Sequence, residues 1–159
     1  MEAFATIYER HVFQVYGFFA YRLSSRETAE DLTQLTFERA LRAWGRYDAR
    51  RASHATWLLA IARNLLIDFL RADKGSTQQN LEGEAAQLGV EPSHDLGLSP
   101  DLERALAGLD ARSRELLALR YGADLTGPEI AEMTGLSLAN VQQILSRGLR
   151  RLRAELEGE

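Results

Sequence analysis

Between Met133 and Ala154 the chain carries Arg147, Arg150, Arg151 and Arg153 and no Asp or Glu, a local charge of +4. Guanidinium groups at this density suit phosphates, which they hold by charge-assisted hydrogen bonds. Directly before them stand Ser137, Ala139, Asn140, Gln142 and Gln143. Asn and Gln can read adenine edges through paired hydrogen bonds. A second basic stretch, 39–74, holds 8 basic and 3 acidic residues, a net of +5. There Arg50, Arg51 and Arg63 stand among Tyr47, His54 and Trp57, and the net charge suits single-stranded DNA. The bland alternative for both stretches is a solvated face, with Trp57 in a core and the C-terminal cations complementing a helix end. Other chemistries find little material. Cysteine is absent, which removes disulfides, thiolate zinc sites and Cys nucleophiles. His11, His54 and His94 fall in three separate segments, with no His-x-x-x-His and no nucleophile elbow. No enzyme, metal site or cofactor is expected.

Helices must position these side chains. Phe4, Ile7, Tyr8, His11, Val12, Val15, Phe18 and Phe19 recur at three and four, predicting one helix to about Leu23. Ser24 stands three residues before Glu27, a capping box that predicts a second helix running to Trp44, with Gly45 as its stop. A polar loop over 46–53 precedes a third helix, His54 to about Ala72. In the second half, Ser99-Pro100 predicts a helix start, and Asp110 a cap for a helix from Ala111 to Tyr121. Thr126 and Glu129 form another capping box, and Ser137 begins a last helix to about Leu156. No alternating stretch of strand length and no hairpin dipeptide is present, so the fold class is all-α.

Residues 127–146 combine into a helix-turn-helix. Ala131 is small enough for two helices to cross closely, Gly135 permits the positive φ of a tight turn, and Leu136, Val141 and Ile144 close a small core. The second helix then offers its first turns to a DNA major groove.

Whole-chain charge at first argues the other way. The 159 residues carry 19 Lys+Arg and 23 Asp+Glu, a net of −4. Split by segment, 1–74 is +2, 75–101 is −5 and 102–159 is −1. The middle segment is rich in Gly, Ser, Gln and Pro and has no apolar period, which marks a linker. We expect two helical domains, 1–74 and 99–159, joined by an acidic linker over 75–98. The 45% apolar content supplies cores. No signal peptide and no apolar run of membrane-spanning length is visible, so a cytoplasmic protein with no membrane insertion of its own is expected.

The segments Ala29-Glu-Asp-Leu-Thr-Gln-Leu-Thr-Phe-Glu-Arg-Ala-Leu-Arg-Ala-Trp44 and Thr56-Trp-Leu-Leu-Ala-Ile-Ala-Arg-Asn-Leu-Leu-Ile-Asp-Phe-Leu-Arg71 resemble region 2 of bacterial RNA polymerase sigma factors. Their closest class is the small extracytoplasmic-function (ECF) type. Leu109-Asp-Ala-Arg-Ser-Arg-Glu-Leu-Leu-Ala-Leu-Arg-Tyr121 and Ile130-Ala-Glu-Met-Thr-Gly-Leu-Ser-Leu-Ala-Asn-Val141 resemble region 4 of the same class. The order of the two is that of the family.

The resemblance implies a sigma factor, a dissociable subunit that selects promoters. It implies docking of the second helix on the clamp coiled coil of the polymerase β′ subunit, through Asp31, Leu32, Gln34, Leu35, Glu38, Leu41 and Arg42. By spacing alone, Asp31, Gln34, Glu38 and Arg42 form one polar stripe, and Leu32, Leu35, Phe37, Leu41 and Trp44 should mostly be core. It further implies that the third helix and the preceding loop open the −10 element and hold a flipped base, through Arg50, Arg51, Ser53, His54, Trp57, Arg63, Asn64, Asp68 and Arg71. Extruding a base costs a few kcal/mol, which pocket and phosphate contacts must offset. The −35 element falls to Ser137, Ala139, Asn140, Gln142, Gln143, Arg147, Arg150 and Arg151. Further implied partners are the polymerase β flap, promoter DNA and an anti-sigma factor. The linker would pass through the polymerase cleft, where its charge could mimic nucleic acid; generic disorder explains the same composition.

Two departures stand out. Gln142 and Ile144 occupy positions where the family often has Lys and Arg, which bears on −35 recognition. Asp110 and Ala111 replace a Pro pair, which should matter only for capping. A plain helix-turn-helix regulator that never joins polymerase is the alternative; it has no use for the Ala29–Trp44 motif.

Overall fold

The computed structural model describes residues 3–75 and 98–158. These form seven α-helices and no strand among the described residues. The linker expected over 75–98 lies, apart from its two end residues, outside the described residues.

Helix α1 spans Phe4–Arg22 and turns Ile7, Val15, Phe18 and Phe19 fully inward. Helix α2 spans Arg26–Arg42 and buries Ala29, Leu32, Phe37 and Ala40. Thr33 and Thr36 are buried on it as well, and their hydroxyls donate to the carbonyls of Ala29 (2.7 Å) and Leu32 (2.8 Å), so neither is left unpaired. A 3-10 turn, Trp44–Arg46, leads to the loop before α3, His54–Gly75. The Ser53 hydroxyl caps α3 by accepting from the Thr56 amide at 3.2 Å. Helices α1, α2 and α3 pack on one another. Each fully buried Phe or Leu contributes about 1.5–3 kcal/mol through apolar burial.

The second half holds α4 (Pro100–Ala107), α5 (Ala111–Leu117), a π-helical turn (Ala118–Gly122), α6 (Gly127–Thr134) and α7 (Leu138–Glu157). Local chemistry sets most of these starts. Ser99 accepts from the Leu102 amide, Asp110 from Ser113 and Ser137 from Asn140. Thr126 and Glu129 form both bonds of the capping box. Gly135 ends α6 at φ 81°.

The two halves are not separate globules. Their buried side chains belong to one continuous apolar cluster. The seam is α1 against the π-helical turn, where Gly17 and Gly122 meet backbone to backbone. A methyl group on Gly122 would stand 2.5 Å from the Gly17 carbonyl oxygen. Beside them the Gln14 amide donates to the Ala123 carbonyl at 2.8 Å, and Arg114 Nε donates to the Tyr21 carbonyl at 2.8 Å.

Three boundary expectations change. Ser25, not Ser24, caps α2, accepting from the Thr28 amide, so Glu27 falls inside the first turn and no capping box forms. Helix α2 stops at Arg42, because the chain tightens into the 3-10 turn before Gly45. The helix expected over 111–121 is α-helical only to Leu117; the π-helical turn carries the chain to Gly122, and Asp124 follows at φ 60°. No helix among the described residues is long and apolar enough to cross a membrane.

Replacing Gly135 by Ala forces a Cβ into the left-handed region, which costs about 1–2 kcal/mol. Urea unfolding of Gly135→Ala should show that loss with an unchanged slope; an unchanged midpoint would mean that the turn relaxes freely.

Candidate nucleic-acid interface

The recognition helix alternates as a groove-reading helix must. Val141, Ile144 and Leu145 are buried, Val141 fully, against a second helix whose Ile130 is fully buried. Ser137, Ala139, Asn140, Gln142, Gln143, Arg147, Arg150 and Arg151 are all exposed. Ile144 therefore serves the core, while the amides of Asn140, Gln142 and Gln143 face outward. Arg147 and Arg151 also line a groove of about 510 Å³ with Arg112, Asp110 and Ser113. Arg112 is a cation that motif reading overlooked; only the fold brings α5 beside α7. The Asp110 carboxyl lies below its ordinary value because the Ser113 side chain and amide hydrogen-bond to it.

The loop before α3 is built on rings. Trp44 and Tyr47 stack at 5.6 Å with planes 5° apart, and Tyr47 stacks on His54 at 4.7 Å. Trp57 stands 4.8 Å from Tyr47 and 5.9 Å from Trp44. The Tyr47 hydroxyl donates to the Ala52 carbonyl at 2.6 Å, tying the loop across its mouth. Burial, with a smaller push from Asp48, raises the Tyr47 phenol above its ordinary value, so it stays protonated and keeps donating. Asp48 accepts from the Arg50 amide at 2.9 Å and from its guanidinium at 3.2 Å, and these bonds lower its pKa. That contribution is present above the ordinary carboxylate pKa near 3.8 and is lost as pH falls through the lowered value. The ring stack consumes the faces of Tyr47 and His54, while Arg50, Arg51 and Ser53 remain exposed.

Farther along α3, Asn64, Asp68 and Arg71 are exposed. Arg63 is not: it pairs with Glu115 of α5 and is only a quarter exposed. Asn64 shares a groove of about 300 Å³ with Arg39, Arg42 and Arg46. Arg39 and Arg46 entered the sequence reading only as charge, and Arg42 as the end of the α2 stripe and a docking residue for polymerase, not as a neighbour of Asn64. The fold gathers them because α2 packs along α3.

On α2, Asp31, Gln34, Glu38 and Arg42 are exposed, as their spacing requires. Leu32 is 6% exposed and belongs to the core, so it offers nothing to a partner. Leu35 and Leu41 depart from the core expectation, being 41% and 56% exposed. They make the stripe amphipathic. The scattered histidines also converge in part: the His11 and His54 rings lie 6.2 Å apart, and His11 hydrogen-bonds Gln14.

Known proteins carry the same two regions. Residues 7–75 match the model of Sigma-70 region 2, and residues 105–154 match that of Sigma-70, region 4. The ECF RNA polymerase sigma factor SigM of Bacillus subtilis is 32% identical over 93% of this chain and 91% of its own. The chain belongs to the ECF sigma factors of RNA polymerase. Its function is that of the family: binding core RNA polymerase and directing transcription initiation from promoters. The ECF sigma factor BldN of Streptomyces coelicolor is 30% identical over 95% of the chain, which spans 59% of BldN's length. The fold extends to the sigma factor RpoE in its co-crystal structure with the anti-sigma factor NepR from Bartonella quintana. That structure has a TM-score of 0.74 at 22% identity and covers 99% of this chain and 98% of that one.

Tyr47→Phe removes the hydroxyl that ties the loop, a bond worth about 1 kcal/mol. Amide hydrogen exchange in 50–54 should rise while the far-ultraviolet spectrum stays unchanged; unaltered protection would show that the ring stack alone holds the loop.

Proposed function

We propose that this sigma factor divides its work as follows. Residues 1–74 dock on core polymerase and open the −10 element, and residues 99–159 read the −35 element, with 75–98 between them. Asp31, Gln34, Leu35, Glu38 and Leu41 meet the β′ clamp, the two leucines supplying the desolvated centre and the polar groups its register. Arg50, Arg51, Ser53, Asn64 and Arg71 follow the separated strand, with Arg39, Arg42 and Arg46 on the adjoining phosphates. His54 and Trp57 hold the loop in shape through the ring stack. Asn140, Gln142 and Gln143 read bases, while Arg112, Arg147, Arg150 and Arg151 hold phosphates. With Gln142 where the family often carries Lys, and the buried Ile144 where it often carries Arg, the −35 contact relies more on hydrogen-bond readout than on charge.

The observation that carries this reading is the amphipathic stripe of α2. It stands exposed on a helix that takes no part in the helix-turn-helix, and a regulator that never met polymerase would have no use for it. The chain acts as a subunit of a catalyst and has no catalytic residues of its own. Its site of action is the cytoplasm, under control of an anti-sigma factor.

The deciding experiment is transcription in vitro with purified core polymerase and a genomic promoter library. Specific start sites should appear only when the chain is added; none would refute the division. Asp31→Ala with Gln34→Ala should weaken core binding roughly tenfold, or about 1.4 kcal/mol, at unchanged thermal stability. An unaltered affinity would remove α2 from the interface. Arg147→Ala should lower the slope of log affinity against log salt for promoter binding by about one and leave core binding alone. An unchanged slope would take Arg147 off the DNA.

A further inference from the structure

One cation cluster belongs neither to the loop nor to the recognition helix. It lines a groove of about 320 Å³ where the end of α1 meets α3 and α5. Arg22, Arg63 and Arg112 stand there with one carboxylate, Glu115. That carboxylate is already engaged, because it pairs with Arg63 across 52 positions of sequence. Nε of Arg22 is buried and has no hydrogen-bond partner among the described residues. A buried donor on a charged group costs free energy until an acceptor is supplied. Burial is the main influence on Arg22 and on its neighbour Arg114, and it lowers both guanidinium pKa values, Arg114 to about 10. Glu115 works against that shift at Arg22, while the charge of Arg63 adds to it. Both groups remain charged at neutral pH, so Arg22 stands between two like charges, Arg63 and Arg114.

The remaining wall is apolar. Leu66, Ile67 and Leu70 of α3 supply it, with Leu66 buried and Ile67 38% exposed. Pockets that hold small molecules run from about 300 to 1,000 Å³ and combine such walls with a few charged groups, so this groove suits a small ligand. Three guanidinium groups against one carboxylate leave an excess of two positive charges. A carboxylate matches the fork of guanidinium donors and brings Glu115 one negative charge to face; a doubly charged phosphate would bring it two.

We propose that this groove is a binding site for a small organic monocarboxylate with an apolar body, its carboxylate on Arg22 and Arg112 and its hydrocarbon against Ile67 and Leu70. Arg63 stays with Glu115. Arg112 stands at the edge, shared with the groove beside α7, whereas Arg22, Ile67 and Leu70 have no part in the surfaces assigned to DNA or polymerase. The ligand supplies the acceptor that Arg22 Nε lacks and places a negative charge among three positive ones. Because α1, α3 and α5 all contribute to the site, a bound ligand steadies their packing by mass action.

The test titrates hexanoate, hexan-1-ol, hexylammonium and inorganic phosphate into the full chain by calorimetry, with the melting temperature as a second readout. Hexanoate should bind saturably at one site and raise the melting temperature, and the other three should bind at least about tenfold more weakly. Arg22→Gln should weaken hexanoate binding by about tenfold or more. If Arg22→Gln fails to fold, Ile67→Glu takes its place: Ile67 stands partly outside the core, and a carboxylate there repels the probe. Absence of saturable hexanoate binding overturns the site. Equal binding of hexan-1-ol or hexylammonium leaves the cations no role, and equal binding of phosphate leaves the apolar wall none; either overturns the ligand class. A folded Arg22→Gln or Ile67→Glu chain that binds hexanoate as tightly as the wild type puts the carboxylate elsewhere and overturns the site.

Discussion

Helix α1 and the π-helical turn touch backbone to backbone at Gly17 and Gly122, and the placement of every other element in the second half follows from that contact. Only residues without a Cβ permit it. Once the backbones are this close, Gln14 reaches the Ala123 carbonyl and Arg114 reaches the Tyr21 carbonyl, so polar groups that would otherwise be buried unpaired find partners. The π-helical turn is the matching device. By adding a wider turn after Leu117 it carries Gly122 out to α1, while Leu116, Leu117 and Leu119 stay fully buried.

Charge follows the same plan. An acidic total conceals two basic faces, one on the loop and α3 and one on α7. In the folded chain the α7 face stays open, while the loop face looks across a cleft at α6 carboxylates. Removing Glu115 from the partly buried pair would leave Arg63 facing the like-charged Arg22, which is why such a pair gives specificity to an arrangement more readily than stability. A contact of this kind can be exchanged for another anion without loss of pairing.

Features governed by neighbouring residues were legible in the sequence. The Thr126–Glu129 box, the left-handed Gly135 and the Ser137 cap are chemistry within four residues, and the helix-turn-helix with its exposed amides follows from them. The cap of α2 was missed by one place because Ser24 and Ser25 are equivalent locally; burial of Ala29 and Leu32 decides between them. Leu35 and Leu41 read as core because apolar spacing alone cannot distinguish a core from a partner's surface. The Arg63–Glu115 pair, the Arg39–Arg42–Arg46 groove and the π-helical turn had no local signal, since each depends on which helices pack together.

One distance tests the central claim that the two halves of this chain, packed on one another when free, divide the two promoter elements between them. The sequence has no cysteine, so spin labels can be placed uniquely at exposed positions on α1 and α7 by Arg10→Cys and Glu155→Cys. Pulsed electron resonance on the free chain should give one short distance, below about 40 Å for a body of this size. In complex with core polymerase and promoter DNA the distance should lengthen by tens of ångströms, set by a promoter spacing of roughly 85 Å. The same distance in both states would contradict the account.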